Sequence, residues 1–216
     1  MGDVVRVLIV DDDALVRHAL RAFLAGDERV ALVGEAADGS EIVELCKSLS
    51  PDVVLMDVKM PLVGGVEATR RVIRWNSRCR VVALTTFTTE LTAIEVLRAG
   101  ACGYLLKNST PAEIINAVIA AHAAGHVVSP EVQTRVIRDA ATSNDPALIR
   151  STSLNDRERQ VVELIATGLS NTEIAQTLRY AEGTVKADIR HINQLWHVHN
   201  RLQIVLRATE LGIVNI

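Results

Sequence analysis

Several short apolar runs in the first half of the chain end on residues that can do chemistry. Val5–Val10 runs into Asp11, Asp12 and Asp13, Val53–Asp57 ends on an acid, Val81–Thr85 ends on a hydroxyl, and Gly103–Leu106 is followed by Lys107. If these runs are neighbouring parallel strands, the carboxylates meet at one edge of the sheet, repel one another and raise each other's pKa. A hard divalent cation relieves that repulsion. Mg²⁺ needs only two or three protein oxygens because it keeps several waters. Such a site can carry a phosphoryl group on a carboxylate. Asp57 would be the nucleophile, Mg²⁺ and Lys107 would neutralise the oxygens, and the Thr85 hydroxyl would donate a hydrogen bond. Any one of these residues at a strand end is ordinarily a loop residue or a helix cap, so their joint placement carries the reading. Asp13, beside a helix starting at Ala14, reads at least as well as a cap as it does as a ligand.

The elements that must position these residues alternate in type. The runs are Val5–Val10, Val30–Glu35, Val53–Asp57, Val81–Thr85 and Gly103–Leu106. Helical patterns lie between and after them at Leu15–Leu24, Glu41–Leu49, Val66–Trp75, Leu91–Ala99 and Glu113–Ala124. Five strands alternating with five helices predict a doubly wound α/β domain. Continuous apolar strands fit a parallel sheet covered on both faces. In such folds ligands bind beyond the carboxyl ends of the strands. Ser129-Pro130 opens a short helix through Ala141, and Thr142–Ser153 has linker composition. From Leu154 onward the strand pattern is gone. Asn155-x-x-Glu158 resembles a capping box and Ser170-x-x-Glu173 is a proper one. With Gly168 as a helix stop and further helices at Glu182–Gln194 and Arg201–Leu211, four short helices suggest a helix-turn-helix.

Composition bounds the function. With 49% hydrophobic and 23% charged residues over 216 positions, the chain suits a globular protein with aliphatic cores. A net charge of −3 rules out a general polycation, so nucleic-acid binding must be local. Cys46, Cys79 and Cys102 are odd in number and set in apolar surroundings, as expected of buried reduced thiols. The first apolar stretch is too short for a signal peptide and runs into acids, and no run approaches a membrane span. A cytoplasmic location is expected.

The segments VLIVDDD, VVLMDVKMPLVGG, VVALTTF and GACGYLLKN resemble the signature segments of response-regulator receiver domains, in order and spacing, over about residues 4–125. The resemblance implies a flavodoxin-like fold with Asp57 as phospho-acceptor. It also implies Mg²⁺ held by Asp11, Asp12, Asp57 and the Lys59 backbone carbonyl, Lys107 as the conserved-type lysine, and Thr85 and Tyr104 as a switch pair. Pro61 follows the family pattern, and Lys59 and Phe87 match positions that tune phosphate lifetime.

LNDRERQVVELIATGLSNTEIAQTL, EGTVKADI and the later NR resemble the LuxR-type helix-turn-helix that ends NarL/FixJ response regulators, over about residues 151–216. The expected organisation is a receiver at 1–127, a linker with a short helix at 128–150, and a DNA-binding domain at 151–216. Val185, Ile189, Ile192 and Trp196 are spaced for a buried helix face, which turns Lys186, Ala187 and Arg190 to another face. In the family that second face enters the major groove. Thr184, Ser170 and Asn171 are candidate phosphate contacts. Three departures from the family bear on this. Ala181 removes a serine N-cap. Asp188 stands where histidine is usual and is expected to repel phosphates beside the groove unless it accepts a hydrogen bond from a cytosine amino group. Leu195 is expected to add apolar surface. Residues 151–216 hold seven basic and seven acidic side chains plus three histidines (His191, His197 and His199), so tight DNA binding is expected to need a homodimer.

The resemblance thus implies a transcription regulator that is phosphorylated by a sensor histidine kinase and binds double-stranded promoter DNA. It acts on no separate substrate and catalyses only its own phosphorylation and dephosphorylation. The alternatives are regulation without phosphate and a C-terminal module turned to protein contacts.

Overall fold

A computed structural model describes residues 4–86, 90–124 and 154–214. Phe87 and the expected linker helix lie outside the described residues. The chain divides into two compact units, residues 1–129 and 130–216.

The first unit is a five-stranded parallel sheet. Its strands are β1 (Val5–Val10), β2 (Val30–Ala36), β3 (Val53–Asp57), β4 (Arg80–Thr85) and β5 (Gly103–Leu106), in the order β2-β1-β3-β4-β5. The helices are α1 (Ala14–Ala25), α2 (Ile42–Leu49), α3 (Gly65–Trp75), α4 (Glu90–Arg98) and α5 (Pro111–Ala124). Strand residues alternate between faces. Val5, Val7, Ile9, Val53, Leu55, Val82 and Leu84 pack against Leu20 and Leu24 of α1 and Ile114, Val118 and Ala121 of α5. On the other parity Leu8, Val54, Met56, Val81 and Ala83 are fully buried. Burial on both faces is why these strands read as unbroken apolar runs. Arg6 is the exposed exception in β1, and its guanidinium donates to the Leu49 and Ser50 carbonyls at 2.6 and 3.1 Å.

The sheet order reverses between β1 and β3, so the crevice at their carboxyl ends is the expected binding place. Asp11 follows β1, Asp57 ends β3, Thr85 ends β4 and Lys107 follows β5. The four therefore come from adjacent strands at one edge.

Among its described residues the second unit has four helices: α6 (Asp156–Ala166), α7 (Asn171–Leu178), α8 (Glu182–Trp196) and α9 (Arg201–Glu210). Asn155 and Ser170 both form complete capping boxes, and Asn200 caps α9 through the Gln203 amide. Gly168 has φ +88°, the left-handed turn that ends α6. Val161, Ile165, Ile174, Val185, Ile192, Trp196, Ile204 and Val205 form the core, with Ile189 packed at its edge. Only three residues, Arg179, Tyr180 and Ala181, join α7 to α8. This is helix-turn-helix geometry.

Candidate functional site

The acidic site is built on backbone that the sheet fixes. Asp11 is fully buried, Asp57 is 3% exposed and Asp12 is exposed, and a carboxylate oxygen of each lies within 4.8 Å of the others. Lys107 Nζ sits 2.7 Å from Asp11 Oδ2 and 3.1 Å from Asp57 Oδ2. The second Asp11 oxygen accepts from the Asp13 amide at 2.9 Å, and Asp57 Oδ1 accepts from the Lys59 amide at 3.4 Å. Asp13 itself caps α1, accepting from the Leu15 amide at 2.8 Å. Sequence reasoning had left its role open.

Electrostatics follow from burial. Burial, then the charge of Asp11, pushes the Asp57 carboxyl above the usual range, against the pull of Lys107 and the Lys59 amide. Burial disfavours the Lys107 cation, but its hydrogen bonds to Asp11 and Asp57 outweigh that and raise its pKa. One lysine therefore stands against three carboxylates. The oxygen-only donor set, two of its acids buried and one open to water, fits a hard divalent cation that keeps part of its hydration.

Thr85 is 2% and Tyr104 3% exposed. Burial raises the Tyr104 hydroxyl, and the neighbouring Thr85 side chain draws it partly back. The Lys107 amide donates to the Thr85 carbonyl at 2.8 Å, tying the ends of β4 and β5 together.

Three supporting residues escaped the sequence reading. Arg17 donates to the Asp11 carbonyl at 2.6 Å. Asp38 accepts from the Ser40 and Val63 amides at 2.6 and 3.1 Å, which pins the loop after β3. A Cβ on Gly65 would lie 2.0 Å from the Asp57 carbonyl oxygen. The Gly64-Gly65 pair was the available signal for that close approach; Arg17 and Asp38 had none.

In the second unit Lys186, Ala187 and Arg190 are exposed along one side of α8, as expected, while Thr184 is half-buried. Lys186 pairs with Glu182 at 2.6 Å, whereas Arg190 pairs with no carboxylate among the described residues. The Ser170 hydroxyl donates to Glu173 Oε2 at 2.7 Å, and Asn171 Oδ1 accepts from Arg201 at 3.4 Å. Both candidate phosphate contacts thus have internal partners.

Two expectations are corrected. Asp188 does not stand beside a groove surface; it is 4% exposed and accepts a bidentate pair from Arg157 Nε and Nη2 at 2.8 and 2.7 Å. Leu195 is half-buried and packs against the core, so it adds little apolar surface. The absence of a side-chain cap at Ala181 is observed.

Two family models match the chain. The response regulator receiver domain matches residues 7–119, and the luxR family of bacterial regulatory proteins matches residues 152–208. The transcriptional regulatory protein LiaR of Bacillus subtilis (strain 168) is 38% identical over 211 residues, covering 98% of this chain and 100% of its own. The uncharacterised transcriptional regulatory protein YxjL of the same organism is 36% identical over 214 residues, 98% of each chain. Among solved structures, the response regulator ChrA of a heme-sensing two-component system is 31% identical, covers 99% of this chain and 100% of that one, and superposes with a TM-score of 0.54.

Proposed function

The chain belongs to the two-component response regulators that join a receiver domain to a LuxR-type helix-turn-helix, and on that premise we propose that phosphorylation of Asp57 by a sensor histidine kinase controls sequence-specific binding of promoter DNA by a homodimer. The observation that carries this reading is the bridge Lys107 makes between buried Asp11 and Asp57, with Asp12 at ligand distance. An Asp57 oxygen attacks phosphorus as the bond to the kinase's histidine nitrogen breaks, and the imidazole leaves. Lys107 is placed to neutralise a phosphoryl oxygen, and the Asp13 amide keeps Asp11 oriented. Asp11, Asp12, Asp57 and the Lys59 carbonyl would hold Mg²⁺, which supplies charge neutralisation when bound. The Thr85 hydroxyl and the Tyr104 ring beside it are the switch pair that reads the phosphate.

The protein acts on no separate substrate; its receiver only gains and loses its own phosphoryl group. The reading assigns the receiver to residues 1–127, the linker to 128–150 and the DNA-binding domain to 151–216. On α8, Lys186, Ala187 and Arg190 face the major groove, with Thr184, Ser170 and Asn171 toward phosphates. Three free, buried cysteines suit the reducing cytoplasm. The protein-contact alternative rested on Ala181, Asp188 and Leu195, and two of those are now accounted for inside the fold.

The test is DNA binding by the full chain with Mg²⁺, with and without beryllofluoride, beside Asp57→Ala. Binding that tightens only when Asp57 is present is expected. Equal binding in all states overturns the phosphate switch, and none in any state overturns the DNA reading.

A further inference from the structure

Helix α8 carries the groove-facing residues, yet among the described helices of its unit it is the one whose N-cap side chain makes no capping bond. Ala181 has the extended backbone of an N-cap (φ −69°, ψ 143°) but offers no side-chain acceptor for the first-turn amides. Core packing of Val185, Ile192 and Trp196 holds the body of the helix, which leaves its first turn without a side-chain anchor of its own.

Arg157, in the first turn of α6, reaches that end of the helix at two points. Its guanidinium lies over the Tyr180 ring, 5.9 Å from the centroid, inside the three-residue turn that leads into α8. The same group grips Asp188 in the second turn of α8 through two parallel hydrogen bonds of 2.8 and 2.7 Å. That fork restricts rotation as well as distance. A second contact lies one residue on: Glu158, 3% exposed, meets His191 Nδ1 at 2.5 Å while its other oxygen accepts from the Asn155 amide. Two residues along an α-helix are roughly 200° apart. Asp188 therefore points away from Lys186 and Arg190, which lie two residues to either side of it. Holding Asp188 inward sets the direction in which both cations point outward.

We propose that Arg157 is a positioning residue for DNA recognition: through Tyr180 and Asp188 it sets the entry and rotation of α8, in place of an N-cap, without touching DNA itself. This rests on the reading of α8 as the groove helix and deepens it.

The test uses the full-length protein activated with beryllofluoride, and two probes. One is a duplex enriched by the wild-type protein from a random-sequence pool; the other is random-sequence duplex of the same length. Arg157→Ala and Arg157→Lys are compared with Asp188→Asn and with Arg157→Ala/Asp188→Asn. Lysine keeps the charge but loses the fork, so it should behave like alanine. Each single variant should weaken binding to the enriched duplex about tenfold or more. Binding to random duplex should stay within about twofold, and the salt dependence should be unchanged because no phosphate contact is lost. The double variant should be little worse than either single one. Amide exchange without DNA should rise at residues 180–186 in Arg157→Ala.

A loss shared equally by both duplexes, with a salt slope smaller by about one, would make Arg157 a phosphate contact and overturn the proposal. So would an Arg157→Lys variant that binds like wild type, or exchange at 180–186 that does not change. A wild-type protein that enriches no duplex overturns the DNA reading and the proposal with it. The exchange data separate that failure from failure of the Arg157 bridge.

Discussion

Replacing Lys107 with methionine removes the cation that stands between two buried carboxylates. The Asp11 and Asp57 side chains are 0% and 5% exposed, and Lys107 lies 2.7 and 3.1 Å from them. At an effective dielectric constant of about 20, each contact is worth roughly 5–6 kcal/mol of gross Coulomb attraction, most of it offset by desolvation. Removing one partner of a buried pair costs about 3–5 kcal/mol net, because the remaining charge is left uncompensated. Urea unfolding reads this directly. Trp75 reports the receiver once Trp196, the other tryptophan, is replaced by phenylalanine. With a slope of about 1–3 kcal/mol per molar urea, the midpoint in EDTA should fall by roughly 2 M. Mg²⁺ should restore part of the loss by mass action, about 2.7 kcal/mol at one hundred times its Kd. The variant should therefore gain more from Mg²⁺ than the parent does. Lys107→Met/Asp57→Asn should be more stable than Lys107→Met, since one of the opposed charges is gone. The sign of the pH dependence is also set. The raised Lys107 pKa means its stabilisation is fully present below the unfolded lysine value of about 10.4 and is lost only as pH rises through the higher folded value. The gap between parent and variant should hold constant from about pH 7 to 9. Equal midpoints of parent and variant in EDTA, or no relief from Asp57→Asn, would refute this account of the site.

Gly65→Ala would place a Cβ 2.0 Å from the Asp57 carbonyl oxygen and 2.8 Å from Val58 Cα. It should cost about 1–3 kcal/mol or more and slow phosphorylation by acetyl phosphate, read by urea unfolding and phosphate-affinity gels. Ala181→Ser should give α8 the side-chain cap it lacks and stabilise the second unit by about 0.5–2 kcal/mol, seen as a higher urea midpoint through Trp196 in a Trp75→Phe background. Glu35 is held below the usual glutamate range, first by its hydrogen bond from Arg21, at 2.6 Å. Its contribution is present above about pH 4.3 and lost as pH falls below that, so Glu35→Gln should be less stable than the parent at pH 7 and indistinguishable from it near pH 2. Burial pushes the Cys102 thiol up to about 12, so iodoacetamide at pH 8 should leave it unmodified in the folded protein and label it in urea, as mass spectrometry would report.

The receiver was legible because its chemistry sits where its strands end. A strand buried on both faces must be apolar throughout, so the first polar residue after the run marks the edge of the sheet. Asp11, Asp57, Thr85 and Lys107 could be located that way before any contact was known. The strand order was not written in the runs themselves, since alternation of strands and helices is compatible with more than one winding. The supports were harder still. Arg17 and Asp38 act on backbone groups of the Asp11 and Val63 segments, and nothing in a lone arginine or aspartate announces a carbonyl or amide partner.

In the second unit the four helices and both capping boxes were legible, but the surroundings of Asp188 and Leu195 were not, for a different reason. Helical periodicity gives the angle at which a side chain leaves the axis but not what faces it from another helix. A carboxylate at position 188 reads as solvent-facing because burying a charge is expensive; it becomes stable inside only because Arg157, 31 residues earlier, arrives with a matching fork. Glu158 is likewise buried, against His191. Two of the seven acids counted from sequence are therefore turned inward, and a net charge of zero overstates the repulsion that phosphates meet. Arg190 is left exposed with no carboxylate partner among the described residues, on the side of α8 away from Asp188. Affinity for a polyanion depends on which charges reach its phosphates rather than on their sum. Asp188 lies on the side of α8 opposite Lys186 and Arg190, where its charge is matched by Arg157, so on the proposed reading it does not stand beside the cations that would meet phosphates.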